Sequence, residues 1–495
     1  MYHPMFKAHD IRAKRECFAG EGGRRVAVAV AYYMACVLKA DSIVLCRDAR
    51  LGGETLLEEM VNTCSRAGLV VYVDPNPVGS CQFYNACMLH DAPCGVMITA
   101  SHNPGSYLGM KLVGPDLSPI SMESGLASVA RAYEEGTPLP SATRAGAVKV
   151  IDTLTPYIEY SMALAHVGRG ELSGLSIACE FLNGSSATAI MVGLGRAGVA
   201  CTPLHPVPNG NFPLGEPNPG RKESMEEALT FIRTHQVPLL FAFDGDGDRM
   251  DLLVDGAQLT PSFVMYSIID QLKALNPHEE PLAVLFDPKA SPIVFNEIAG
   301  KGVQIDIVRN GHSAVKHVMR QSRQPRYLCA AEESAHYFYQ LPTDPSKPDS
   351  RRLAGENTLF YLLLILKAFK ENPKVFNEAQ ALQQSFYRRR EWSITIPDGG
   401  QRTALLAQIE ALMAGMGATR IEHDGSGHSL GAVLYRRGVD TGTYGLERGW
   451  LQLFQRISES EESLLRFEVI AENEAVGLPL VEALLALQGR FTQTT

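Results

Sequence analysis

The chain has no two cysteines spaced as C-x-x-C, no apolar run long enough to cross a bilayer, and no excess of basic residues. Each absence closes a class of function. Ten cysteines scattered singly exclude a zinc ribbon and a thioredoxin-type site, and read as small buried side chains in a reducing compartment. The longest apolar stretch, Val26–Leu38, spans about 13 residues, short of the ~20 that a membrane helix needs. Arg24 and Arg25 precede it, as in a twin-arginine signal, but no small-residue cleavage site follows promptly, so it reads as a buried helix of the first domain. With 45 Lys and Arg against 54 Asp and Glu, the formal charge of -9 argues against a nucleic-acid partner. An anionic substrate would have to be caught by a few placed cations. A cytoplasmic enzyme with neither a membrane nor a nucleic-acid partner is the class that remains.

What is present is an ordinary globular composition, 45% apolar and 20% charged over 495 residues, enough for three or four domains at roughly 100–200 residues each. Short β-branched runs alternate with Gly- or Asp-bearing loops and longer helical patterns. Ser42–Cys46, Leu69–Val73 and Gly95–Thr99 are predicted strands, with a helix over Glu54–Ala67. Leu175–Cys179 and Pro238–Phe243 belong to a second unit, and Ala283–Phe286 and Val303–Val308 open a third. Such alternation implies sheets with parallel strands covered on both faces, and function just past the carboxyl ends of those strands. Leu341–Gly355 is polar and proline-bearing and reads as an exposed excursion, before a helix at Asn357–Lys370. Further on, strands at Trp392–Ile396, Ala432–Tyr435, Leu451–Ile457 and Leu465–Ile470 surround a helix at Thr403–Met416, the pattern of an α+β domain. The predicted architecture is α/β: three related units with mixed sheets at 1–150, 151–257 and 258–371, and a C-terminal α+β domain at 372–495.

Three clusters carry chemistry. Asp244-Gly245-Asp246-Gly247-Asp248-Arg249 follows the strand Pro238–Phe243, and carboxylates at i, i+2 and i+4 on a near-extended loop point to one side. Three converging carboxylates repel one another unless a hard cation sits among them, and Mg²⁺ suits a site shared with phosphate oxygens. A calcium loop of EF-hand type would need a Glu at its twelfth position and two flanking helices, and both are absent. Thr99-Ala100-Ser101-His102-Asn103-Pro104, again at a strand end, offers an exposed Ser suited to be a nucleophile or a phosphorylated residue. His102 is adjacent to Ser101 and is not expected to face it. Glu332-Glu333-Ser334-Ala335-His336 follows the strand Tyr327–Ala330, and in an extended stretch Glu332, Ser334 and His336 share one face, a set suited to a sugar. Lys7, Arg12, Arg47, Lys111, Arg249, Lys289, Arg309 and Lys316 fall in or beside strand-end loops, as does His312 in Arg309-Asn310-Gly311-His312-Ser313.

Taken together, these motifs resemble those of the α-D-phosphohexomutases, most closely the phosphomannomutase/phosphoglucomutase branch. The likeness runs in order through Phe6–Arg12, the Ser101 loop, Gly109-Met110-Lys111, Pro208–Pro213, Asp244–Arg249, Lys289, the loop at His312 and Glu332–His336. The resemblance implies four domains around a central cleft and interconversion of hexose 1-phosphate and hexose 6-phosphate, of mannose, glucose or both. It implies that Ser101 carries the phosphoryl group and holds Mg²⁺ together with Asp244, Asp246 and Asp248. A hexose 1,6-bisphosphate is then both intermediate and activator. Arg12 is implied as a support of the nucleophile, and Lys111, His312 and His336 as candidates for proton transfer. Arg249, Lys289, Glu332 and Ser334 would bind substrate, with Arg456, Ser458, Ser460 and Arg466 as phosphate ligands. The hexose phosphate is the partner implied, on a monomer or homodimer.

The chain also departs from the pattern it resembles. Ala13 stands where the family has a Gly after D-I-R, Ala331 replaces a usual Gly, and Pro292 lies near a usual Arg. The run Arg456–Arg466 carries three glutamates among its phosphate ligands, which disfavours a phosphate dianion there unless they point outward. Two alternatives follow: a catalytically weak relative that binds sugar phosphates, and an amino-sugar phosphate mutase. The second is disfavoured by Glu333, where the amino-sugar branch tends to carry Gln.

Overall fold

A computed structural model of the chain describes residues 2–139, 144–279, 281–322, 326–347, 349–458 and 463–492. They fall into two compact units, one of Met1–Gln258, Met319–Gln321 and Ser334–Asn372, the other of Leu259–Val318, Ser322–Glu333 and Pro373–Thr495.

The first unit begins with strands β1 (Ile11–Lys14), β2 (Ser42–Arg47), β3 (Val70–Pro77), β4 (Gly95–Ile98), β5 (Tyr107–Val113) and β6 (Val148–Val150). Their order is β1-β5-β4-β2-β3-β6. β4, β2, β3 and β6 run parallel, while β5 is antiparallel to both β4 and β1. The near-continuous apolar runs of β2 and β4 mark strands covered on both faces. Ile43, Leu45, Val96 and Ile98 pack with Val26, Val30 and Met60 of the covering helices in one core. The apolar stretch from Val26 is the expected buried helix, Glu21–Tyr32, continued by a wider turn at Tyr33–Val37. No helix among the described residues is long and apolar enough to cross a membrane.

A second sheet of the same unit contains β7 (Ser176–Glu180), β8 (Ala200–Leu204), β9 (Leu239–Phe243), β10 (Met250–Val254) and β11 (Ala257–Leu259), in the order β11-β10-β9-β7-β8. β7, β8 and β9 are parallel, and β10 turns back antiparallel to β9.

The second unit holds β12 (Ala283–Phe286), β13 (Gln304–Ile307) and β14 (Tyr327–Glu332), all parallel, with β12 between the other two. In the first unit, β15 (His336–Pro342) and β16 (Arg352–Glu356) pair as an antiparallel hairpin. This corrects the reading of Leu341–Gly355 as an exposed excursion. Only the tip leaves the sheet, and Leu353–Glu356 are buried because the strand's apolar residues return to it.

The C-terminal sheet, within the second unit, is fully antiparallel in the order β17-β21-β20-β19-β18. Its strands are β17 (Tyr387–Thr395), β18 (Thr419–His423), β19 (Ser429–Val439), β20 (Leu446–Ile457) and β21 (Leu464–Ala471). Alternate residues Leu451, Leu453, Leu465, Phe467 and Val469 face the helices Gly399–Gly415 and Glu474–Thr492 in a separate core. The other face of β20 and β21 carries Gln452, Arg456, Arg466 and Glu468. β17 loses register with β21 between Arg389 and Trp392, a bulge that holds Glu391.

Candidate active site

In the first unit, the carboxyl ends of the parallel strands β4 and β9 deliver the Ser101 and Asp244 loops to one place. Asp244–Asp248 is a tight turn rather than the near-extended loop expected, closed by a hydrogen bond from Gly247 N to Asp244 O at 3.1 Å. The turn still brings the three carboxylates together: Asp244, Asp246 and Asp248 are all buried, with one oxygen of each within 4.8 Å of the others. Its glycines are required by the close approach. A Cβ on Gly245 would stand 2.6 Å from the Ser101 carbonyl oxygen, and Gly247 adopts φ +66° with Ser186 alongside.

Ser101 Oγ donates to Asp244 Oδ2 at 2.9 Å. Ser101 is 3% exposed, not the exposed Ser expected, because its loop folds inward against the Asp turn. Its backbone lies at φ +50°, a left-handed conformation costly for a residue with a side chain. The surroundings that hold it there include a residue the sequence reading passed over. Arg50, fully buried, donates from Nη2 to the carbonyls of Ser101 and Asn103 at 2.6 Å each, and from Nη1 to those of Pro104 and Tyr107 at 2.9 and 3.1 Å. Asp48 fixes Arg50 at Nε, 3.1 Å, and accepts from Thr99 Oγ1 at 2.6 Å, while Thr99 in turn accepts from Ser101 N at 2.8 Å. The Pro208–Pro213 stretch closes over this clamp: Gly210 bridges Arg50, and the Phe212 ring lies 4.9 Å from the guanidinium. The signal present in the sequence is Asp48-Ala49-Arg50, directly after β2.

Lys111 on β5 reaches the carboxylates from the other side, donating to Asp246 Oδ2 at 2.5 Å and also to Asp248 Oδ2. Ser80 Oγ adds a second donor to Asp246 Oδ2, at 2.6 Å. Burial and repulsion from Asp246 and Asp248 push the Asp244 carboxyl up to about 7. Burial also opposes ionisation of Asp248, but Lys111, His336 and Arg249 outweigh it and hold that carboxyl well below the usual range. Burial disfavours charge on Lys111, yet Asp246 and Asp248 hold its pKa above the ordinary lysine value.

The donor set fits a hard divalent cation. It is made of buried oxygens from three converging carboxylates, and among the described residues Asp246 Oδ1 accepts no hydrogen bond.

Arg249 N donates to Asp244 Oδ1 at 3.2 Å, and His336 Nε2 lies 3.4 Å from both Arg249 Nε and Asp248 Oδ1. Arg12 on β1 pairs with Asp10 and donates to Asn103 Oδ1 at 2.7 Å. Ser101, Arg12, Lys111, Arg249, His336 and the three Asp are thus gathered in one unit. His102 joins them against expectation, its Nδ1 3.3 Å from Ser101 Oγ. Burial and the cations Arg249 and Arg12 push its pKa down to about 2, so it stays neutral. Ala13 costs the site nothing: it sits in β1 opposite Leu108, where extended backbone suits any residue.

Glu332, Ser334 and His336 do not share one extended face. Glu332 ends β14, residues 333–335 form a turn, and Ala335 takes φ +70°. Ser334 and His336 belong to the first unit and Glu332 to the second. Within the second unit, Glu332 accepts from Gly311 N, the residue before His312, which begins the helix His312–Gln321. Lys316, read as a loop cation, is fully buried inside that helix.

Asp287, also unforeseen, ties three loops together. It is fully buried and accepts from Lys289 N at 2.8 Å, Asn310 Nδ2 at 3.1 Å and Glu333 N at 2.9 Å. Glu333 itself pairs with Arg388 at 3.5 Å, and Arg388 donates to Glu468 at 2.6 Å. On the polar face of the C-terminal sheet, Arg456 and Arg466 are directly opposed on β20 and β21. Ser458 is buried just beyond β20, and Ser460 lies outside the described residues.

The chain is similar to known proteins. The family models "Phosphoglucomutase/phosphomannomutase, alpha/beta/alpha domain I" and "domain II" match residues 3–137 and 155–256. A phosphomannomutase of Escherichia coli is 29% identical over 345 residues, covering 68% of this chain and 73% of that one. A phosphomannomutase/phosphoglucomutase of Pseudomonas aeruginosa is 26% identical over 350 residues, 68% and 69% of the two chains. The fold of a phosphoglucomutase/phosphomannomutase family protein from Burkholderia thailandensis superposes with a TM-score of 0.79 at 17% identity, over 99% of this chain and 98% of the other. The chain thus matches the phosphoglucomutase/phosphomannomutase family across that family's domains I and II, and phosphomannomutases over about two thirds of its length.

Proposed function

We propose that the chain is a Mg²⁺-dependent phosphohexomutase that interconverts hexose 1-phosphate and hexose 6-phosphate, with mannose, glucose or both as the sugar. The observation that carries this reading is Ser101 Oγ, buried and 2.9 Å from Asp244 at the edge of a three-carboxylate cluster. The names of the relatives, phosphomannomutase and phosphomannomutase/phosphoglucomutase, support the substrate class. Likeness to an N-acetylphosphoglucosamine mutase of Aspergillus fumigatus is lower, at a TM-score of 0.58, and gives the amino-sugar alternative less support.

In the proposed cycle, Ser101 carries a phosphoryl group. A sugar hydroxyl attacks its phosphorus, the bond from phosphorus to Ser101 Oγ breaks, and the hydroxyl proton passes to a neighbouring base. The resulting 1,6-bisphosphate turns end for end, and Ser101 accepts the other phosphoryl group. Asp244, Asp246, Asp248 and Ser101 would hold Mg²⁺, which supplies charge neutralisation for phosphoryl transfer. Arg12 supports the Ser101 loop through Asn103. Lys111, His312 and His336 are the proposed proton carriers. Arg249, Lys289, Glu332 and Ser334 are proposed to bind the sugar phosphate, with Arg456, Ser458, Ser460 and Arg466 on the phosphate that is not transferred. The burial of Ser101 disfavours loss of the phosphoryl group to water. A hexose 1,6-bisphosphate is the proposed activator, and ten free cysteines suit work in the cytoplasm. The assembly proposed is a monomer or homodimer.

The test is a coupled assay with glucose 1-phosphate and mannose 1-phosphate, in Mg²⁺ with a trace of glucose 1,6-bisphosphate. Wild type is expected to turn over at least one of them and Ser101→Ala neither. Undiminished turnover by Ser101→Ala overturns the assignment.

A further inference from the structure

The second unit places more acid beside its cations than a phosphate site needs. Arg388 is already committed to Glu333 and Glu468, at 3.5 and 2.6 Å. Of the remaining cations, Arg466 Nη1 pairs with Glu391 Oε1 at 3.1 Å, and Lys289 Nζ lies 4.0 Å from Glu391 Oε2. Glu391 therefore stands between two residues from distant parts of the sequence. It comes from the β17 bulge, where the lost register places an extra residue against β21. Regular pairing would not supply it. Arg456 stands directly across from Arg466, and the Nε atoms of both arginines are buried with no acceptor among the described residues. Two like charges side by side with unsatisfied donors call for an anion beyond the single Glu391 carboxylate. Glu391 Oε2 is buried and accepts no hydrogen bond among the described residues, so the carboxylate fits this place poorly.

We propose that Glu391 is an internal counter-ion that occupies Lys289 and Arg466 until the substrate's non-transferring phosphate displaces it, so that this residue sets the affinity for phosphate. The inference rests on the phosphohexomutase reading for its natural ligand, but the chemistry is that of any phosphate dianion. A dianion offers more acceptor oxygens than a carboxylate and satisfies the arginine donors that Glu391 leaves open. Its entry costs the Glu391 contacts and the repulsion between the two anions. Removing the charge on Glu391 while keeping its size removes both costs.

The test compares wild type with Glu391→Gln, measuring inorganic phosphate binding by calorimetry at low salt. KM and kcat for the hexose phosphate are measured in parallel. The variant is expected to bind inorganic phosphate about fivefold more tightly, the scale of one partly exposed ion pair. Its KM is expected to fall by a similar factor, with kcat changed much less. Equal or weaker phosphate binding, binding by neither protein, or a raised KM overturns the proposal. Those results would mean that Glu391 orients Lys289 and Arg466 for substrate or has no part in binding. The phosphate measurement needs no turnover, so a protein inactive on every hexose phosphate would refute the mutase reading without deciding the role of Glu391.

Discussion

Ser101 is the residue on which the site is built, and its position depends on a guanidinium with no role in the chemistry. A left-handed φ at a non-glycine residue costs of order 1–3 kcal/mol, so the loop needs compensating contacts. Arg50 supplies four, all to backbone carbonyls between Ser101 and Tyr107. Lysine keeps the charge but has no planar fork, and it cannot reach four carbonyls at once. Arg50→Lys is therefore expected to lower kcat by about a hundredfold, the scale of a roughly 1 Å misplacement. Circular dichroism should show the native fold retained. Normal kcat in a folded Arg50→Lys protein would show that Ser101 needs no such clamp. Arg50 was not legible as a functional residue because its partners lie 51 to 57 positions along the chain. Ser101 and Asp244–Asp248 were legible because each motif is contiguous and follows an apolar strand.

At the scale of elements, three loops of the second unit meet at Asp287, which follows β12. Burial, opposed by Lys289 and reinforced by Glu333 and Glu332, pushes its carboxyl up to about 6. A carboxyl raised in the folded state favours folding fully at pH values below its unfolded pKa of about 4. That contribution is lost as pH rises through about 6, because the buried group must then ionise. Urea denaturation at pH 4.5 and 6.5 is expected to show a smaller fall in stability across this window for Asp287→Asn than for wild type. Identical pH dependence in the two proteins would place the ionisation of Asp287 outside it. The sequence located β12 and the loop that carries Lys289, but not Asp287, the residue on which the three loops converge. Periodicity reports which residues face a core; it does not report which loops converge. The same blindness produced the error over Glu332–His336, read as one extended face although a turn with Ala335 at positive φ interrupts it.

For the whole molecule, an overall charge of -9 coexists with cations placed singly against carboxylates. Lys111 faces Asp246 and Asp248, Arg388 faces Glu333 and Glu468, and Arg466 faces Glu391. Net charge gave no sign of this arrangement, since each pair joins residues far apart in sequence. The α/β rhythm of the first three sheets and the antiparallel C-terminal sheet were readable from strand composition, because parallel strands buried on both faces carry unbroken apolar runs. The hairpin β15–β16 was not, because a polar, proline-bearing tip masked the apolar residues of its returning strand.

The central claim is that Ser101 carries a phosphoryl group drawn from a hexose bisphosphate. The direct test is to incubate the protein with glucose 1,6-bisphosphate and Mg²⁺, then locate the phosphoryl group by peptide mass spectrometry. One group is expected on Ser101, with none on Ser101→Ala. A phosphoryl group on another residue, or turnover by a protein that never acquires one at Ser101, would contradict the account.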